Sequence, residues 1–325
     1  MSTPVAPLYL EFIQSSPDLV APRTLNASIG GGKPVELVVD TGSLGIAIGT
    51  KFLGENYRPL LPLPPAPISY SSSGNSYRGQ WVLTTVEITG MHGRGFTTSK
   101  EIAVFAVDGS DVSMMGVATR FPDPCLLQNP FLNVPGMSSG LMRYGYILTA
   151  QGVTFGYDEA EVASFPIRVP IDPIFGSPLP NATITLTPAD TSLGSYTFTA
   201  PFLLDTGLDY LIAAPPSREP APPAPYQKPS REPRVTQDDI FIPEMQVTLA
   251  LEGADKTSQT IWSFNTSDCP IYSRVVNAAL PHYGRFAVPS PGGFLNSGRH
   301  LLGAYDYLVD LQDLVMGLRT PATRS

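Results

Sequence analysis

Twice this chain runs an apolar strand straight into Asp-Thr-Gly, first as "VELVVDTGS" up to Ser43 and again as "FLLDTGL" up to Leu208. Asp40 and Asp205 lie 165 residues apart in a chain of 325, about half its length. With each residue type at about 5% of positions, a given tripeptide is expected only roughly a few hundredths of a time in a chain this long. Either copy alone is ordinary strand-ending turn chemistry, since Asp and Gly both favour turns. The pair is better explained as two versions of one folding unit, with the expected division at 1–165 and 166–325.

The remaining sequence reads as β structure. Segments such as "RTLNASIG", "QWVLTTVEITG", "KEIAVFAVDG", "NATITLTP" and "EMQVTLALEG" are short, rich in Val, Ile, Thr and aromatics, and bounded by Gly or Pro. Pro and Gly supply 35 and 29 residues, enough for many turns, yet short of the ~25–30% that marks disorder. An all-β chain follows. The best helix candidate is Arg299–Leu311, where Leu301, Leu302, Tyr305 and Leu308 recur at three- and four-residue spacings; "SRVVNAAL" is a second. The stretch 215–235, proline-dense and with "PSREP" twice, reads as an exposed, mobile loop with almost nothing apolar to bury.

Composition narrows the function classes. Twenty basic and 28 acidic residues give a net charge of −8 and a pI near 4.9, which disfavours nucleic acid and anionic membranes as partners. No stretch approaches the ~20 apolar residues of a membrane span. His92, His282 and His300 are scattered, and Cys125 and Cys269 form no C-x-x-C pair, so neither a metal nor a cofactor is expected. One bridge between the halves is the most two cysteines can form. Sequons at Asn26, Asn181 and Asn265 are compatible with secretion without requiring it. The N-terminal segment lacks the basic and apolar regions of a signal peptide. With Met1 as the natural start, thiols without partners in their own half favour the cytoplasm; a removed leader would mean secretion.

The doubled motif resembles that of the pepsin-like aspartic proteases, and the resemblance reaches beyond it. "ASIGGGKPVELVVDTGS" is similar to the family's approach to its first catalytic Asp, "ISYSSSGNSYRGQWVLTTVEI" to its flap hairpin, and "VSMMGVATRF" to the apolar-apolar-Gly strand behind the first loop. In the second half "FLLDTGLDYLIAAP", "IPEMQVTLALEG" and "GRHLLGAYDYLVDLQDLVMGL" resemble the second loop, a supporting strand and the closing segment. The resemblance implies a bilobal fold with two pseudo-symmetric β lobes and an active-site cleft between them. It implies a monomeric endopeptidase acting on peptide or protein substrates, with Asp40 and Asp205 as the catalytic dyad. Thr41, Gly42, Ser43, Thr206 and Gly207 would support the dyad, and Tyr70, Ser72, Gly74 and Tyr77 would face substrate from the flap. Two alternatives stay open: a pepsin-fold enzyme doing acid/base chemistry on a small molecule, and a non-catalytic peptide-binding or inhibitor protein.

The chemistry has its own logic. Two adjacent carboxyls cannot both ionise cheaply, so they share a proton and form one acid and one base, as in the aspartic-protease dyad. Four departures from the family pattern stand out. Leu208 replaces the hydroxyl residue that would match Ser43, leaving Asp205 one donor short and holding the dyad's proton to higher pH. Ser72 stands at the flap-tip Tyr position, Ala47 replaces a Trp, and the second apolar-apolar-Gly falls on Asn296-Ser297-Gly298.

Overall fold

The computed structural model describes residues 6–13, 19–60, 67–70, 75–118, 128–171, 180–220, 222, 226–229, 239–253, 257–273 and 277–321. Among them are three large sheets and one two-stranded hairpin, and no α-helix exceeds five residues. The all-β expectation holds.

One nine-stranded sheet is built within residues 24–117 and another within residues 181–296. Their centres repeat one arrangement. In the first, Val35–Asp40 lies parallel to Ser113–Val117, which runs antiparallel to Leu44–Gly49, itself parallel to Ile102–Val107. In the second, Tyr196–Leu203 lies parallel to Phe294–Asn296, which runs antiparallel to Leu211–Ala214, itself parallel to Gly284–Phe286. The first strand of each quartet delivers an Asp-Thr-Gly. The quartet is wedged open at that point, because the second strand enters between the strands before and after the loop.

The strands form where the pattern demands them. Asn181–Pro188, Tyr196–Leu203 and Met245–Glu252 bury alternate residues, as a side-chain period of two dictates. Ile102–Val107 is buried throughout because both its faces are covered. Ile102, Val104 and Ala106 face the main core, while Phe105 and Val107 join a second cluster with Ala47, Tyr70, Tyr77 and Trp81. Burying a side chain such as Phe105 stabilises by about 1.5–3 kcal/mol.

A six-stranded sheet draws on both halves of the chain, in the order Leu8–Glu11, Gly152–Phe155, Gly145–Leu148, Asp306–Asp310, Val315–Arg319, Ile167–Pro170. At its centre Ile147 lies opposite Leu308. Arg143 forks onto the fully buried Asp310, Nη2 to Oδ2 at 2.8 Å and Nε to the same oxygen at 3.1 Å, and also reaches Asp313.

Three expectations for the second half change. Arg299–Leu311 is not a helix: Arg299–Gly303 is a short 3-10 turn, and Asp306–Asp310 is a strand paired on both sides. All five residues of that strand are buried, so their apolar spacing records burial on two faces rather than a helical stripe. In "SRVVNAAL", residues 277–280 form a turn, and 274–276 lie outside the described residues. The proline-rich stretch is tied to the sheet where it is described. Tyr226 is 1% exposed and its hydroxyl donates to the Gly194 carbonyl at 2.8 Å. Tyr196 donates to the Pro220 carbonyl at 2.7 Å, and Gln227–Pro229 pairs with Asp239–Phe241.

Candidate active site

Both Asp-Thr-Gly turns arrive from the centres of their quartets and meet. Each carboxylate takes a backbone N–H on one oxygen: Gly42 N to Asp40 Oδ1 at 2.7 Å and Gly207 N to Asp205 Oδ1 at 2.9 Å. Each takes a side-chain donor on the other. Ser43 Oγ donates to Asp40 Oδ2 at 2.7 Å, and Asn296 Nδ2 donates to Asp205 Oδ2 at 2.7 Å. Both carboxylates are buried, at 6% and 5% exposure, so four donors offset much of what desolvation takes away.

The approach is close enough to fix the glycines. A Cβ on Gly42 would come within 2.5 Å of the Asp205 carboxyl, and one on Gly207 within 2.8 Å of the Asp40 carboxyl. Each turn therefore leaves its third position bare to admit the acid of the other.

The threonines between them lock the two turns reciprocally. Thr41 N donates to Thr206 Oγ1 at 3.1 Å and Thr206 N to Thr41 Oγ1 at 3.0 Å. Each hydroxyl then spends its own hydrogen across the interface, Thr41 on the Leu204 carbonyl at 2.5 Å and Thr206 on the Val39 carbonyl at 2.6 Å. With both hydrogens committed, the 3.5 Å contact between the two hydroxyl oxygens adds little.

Burial, and then the Asp40 carboxylate beside it, hold the Asp205 carboxyl well above the usual range, while Asn296 and the Gly207 N–H pull it back. Beneath the second turn Arg299, 4% exposed, places Nη1 3.5 and 3.4 Å from the carbonyls of Thr206 and Gly207, and its Nε donates to the Leu19 carbonyl at 3.0 Å.

A cavity of about 560 Å³ opens over the pair, within the roughly 300–1,000 Å³ of small-ligand sites. Ala47, Tyr70, Trp81 and Phe105 line it on one side, Leu203 and Phe294 on the other, and Tyr307 and Val309 come from the shared sheet. Tyr70 and Tyr77 sit on facing strands of the hairpin, edge to face at 6.0 Å. Burial, then Asp40, then Tyr77 raise the Tyr70 phenol well above its ordinary range, so it stays a neutral donor over the cavity. Ser72 and Gly74 lie outside the described residues. Two acids that share a proton under such a cavity can take a proton from one ligand atom while giving one to another.

Two departures find their compensation elsewhere in the chain. The donor that Leu208 lacks is supplied by Asn296, so Asp205 is not one donor short, and the higher-pH expectation loses its basis. The space at Ala47 is filled from across the sheet: Ala47 pairs with Phe105, which pairs with Trp81. These two rings pack edge to face at 5.2 Å against the hairpin tyrosines. The strand register supports Asn296-Ser297-Gly298 as the counterpart of Met114-Met115-Gly116, since Leu203 pairs with Asn296 as Val38 pairs with Met114. Asn296 was readable as a position but not as a donor, and Trp81 was readable only as part of a strand.

No protein-family model matches the chain, and no curated protein matches it significantly. Among the described residues no helix is long and apolar enough to cross a membrane, and no group of three or more His, Cys, Asp or Glu side chains could hold a metal ion.

Proposed function

We propose that the chain is an aspartic endopeptidase with the bilobal arrangement of the pepsin-like enzymes, the two nine-stranded sheets serving as its lobes. The observation that carries this reading is the meeting of the two Asp-Thr-Gly turns, each glycine too close to the opposite carboxyl to bear a Cβ. In this reading Asp205, held above its ordinary range, carries the shared proton, and Asp40 is the base. Asp40 takes a proton from a water molecule as its oxygen attacks the scissile carbonyl carbon. The shared proton passes to the carbonyl oxygen, giving a tetrahedral diol with no covalent bond to the enzyme. Collapse of the diol breaks the C–N bond as the departing nitrogen takes up a proton and the dyad recovers its own. The apolar walls of the cavity favour a substrate with apolar side chains around the scissile bond. A mixed peptide library, incubated from acid to neutral pH with and without a statine-containing peptide, tests it. Cleavage blocked by statine is expected; no cleavage at any pH would overturn the reading and favour small-molecule or binding roles.

A further inference from the structure

The two carboxyls are served alike on Oδ1 and differently on Oδ2. Asp40 has a hydroxyl three residues on; Asp205 has an amide 91 residues on, and that amide is 2% exposed. Through its own Oδ1 the same Asn296 accepts the N–H of Gly298 at 2.9 Å. This second bond fixes which way round the amide sits. Turned over, it would set an oxygen against the Asp205 carboxylate and an NH₂ against a backbone N–H, two repulsive contacts. The turn that offers this N–H is itself specialised: Gly298 has φ +65°, and a Cβ there would come within 2.6 Å of the Tyr210 carbonyl.

We infer that Asn296 is the positioning residue of the second carboxyl, an amide locked as a donor that holds Oδ2 of Asp205 in place and favours the ionised form of that group. The inference rests on the dyad reading above. A primary amide nitrogen has hydrogens to give and no lone pair to receive one, so it serves Oδ2 only as a donor, which favours the carboxylate over the acid. Ser43 imposes no such rule on Asp40, because a hydroxyl turns to accept as readily as it donates. The second turn is thus stricter than the first.

Other charged or titratable groups face the pair from each packed element. Asp40 lies across from Asp205, Arg299 lies beneath the second turn with Asp209 4.0 Å from it, Tyr210 follows that turn, and Tyr70 comes from the hairpin. Arg299 remains a cation, and burial raises both phenols.

Asn296→Leu keeps the volume and removes the donor. With a bond to a charged acceptor gone, the alkaline limb of the kcat/KM profile should move up by about one to two pH units. Leu208→Thr should shift the parent enzyme by less than about half a unit, yet restore most of the loss when added to Asn296→Leu. Carbon-13 NMR of the Asp carboxyls, assigned with Asp40→Asn and Asp205→Asn, reads the same titration without substrate. If the parent cleaves no peptide while the Asp205 carboxyl still moves up in Asn296→Leu, the peptidase reading falls and the role of Asn296 stands. Superposable carboxyl titrations in parent and variant overturn that role. Should Asn296→Leu not fold, Asn296→Asp keeps an acceptor for Gly298, and an Asp205 carboxyl titrating there as in the parent overturns it equally.

Discussion

The two Asp-Thr-Gly turns share a backbone pattern and differ in where their support comes from. The first is self-sufficient: Ser43 donates from within the turn's own tetrapeptide. The second is furnished from afar, by Asn296 for its carboxylate and by Arg299 for its carbonyls. A hydrogen bond needs a donor at the right point in space and is indifferent to the route the chain takes there. Lost local chemistry can therefore be restored by any strand the fold brings alongside.

The largest effect tests whether the turns are equal partners. Asp40→Asn and Asp205→Asn should each lower kcat/KM by at least about 10²–10⁴-fold, with unchanged far-ultraviolet circular dichroism. A variant that keeps activity within about tenfold of the parent would show that its turn is not part of a working pair.

A stability difference between the halves comes next. Burial pulls the His300 imidazole down to about 4, and its Nε2 is buried without a hydrogen-bond partner among the described residues. The unfolded chain takes up a proton below its ordinary 6.5 while the native protein refuses it. Stability contributed by neutral His300 is thus full above about 6.5 and falls as pH drops towards about 4, by about 3 kcal/mol in all. His300→Gln keeps an amide donor for the Ala278 carbonyl and does not titrate. Its urea midpoint should fall less than the parent's between neutral pH and about pH 4; parallel falls would remove the asymmetry.

The threonine lock should be symmetric. Thr41→Val and Thr206→Val each orphan a buried N–H and a buried carbonyl, costing about 1–3 kcal/mol. The double variant should lose close to the sum, because each hydroxyl makes its own two bonds and the two share only the 3.5 Å contact. Strongly unequal single losses in urea unfolding would show that one turn carries the interface.

Smallest of all, Ser43→Ala should shift the pH profile by only about a few tenths of a unit, since Ser43 is half-buried and water can take over its bond. A shift as large as that of Asn296→Leu would erase the contrast between an adaptable and a strict donor.

What was legible in the sequence follows the same division. Strands and both turns were readable because their signals, β-branched alternation and a tripeptide, are local. Asn296 and Trp81 were not, since each acts on a residue reached only through strand pairing. Asp306–Asp310 misled for a related reason: a strand buried on both faces lacks the polar alternation that separates it from a helix. Tyr226 was hidden in a proline-rich context that reads as exposed, although one aromatic ring is enough to tie such a segment down.

The six-stranded sheet sets an order of events in biosynthesis. Gly145–Leu148 leaves the ribosome some 160 residues before Asp306–Asp310, the strand that covers it. Until then Arg143 has no Asp310 to fork onto, and one edge of the central strand pair is open. At about 5–20 residues per second the delay is on the order of ten to thirty seconds. Asp205 likewise waits for Asn296. A nascent chain therefore carries its first acid long before the second is tuned, so the finished site comes into being only after the strand at Asp306–Asp310 has been made.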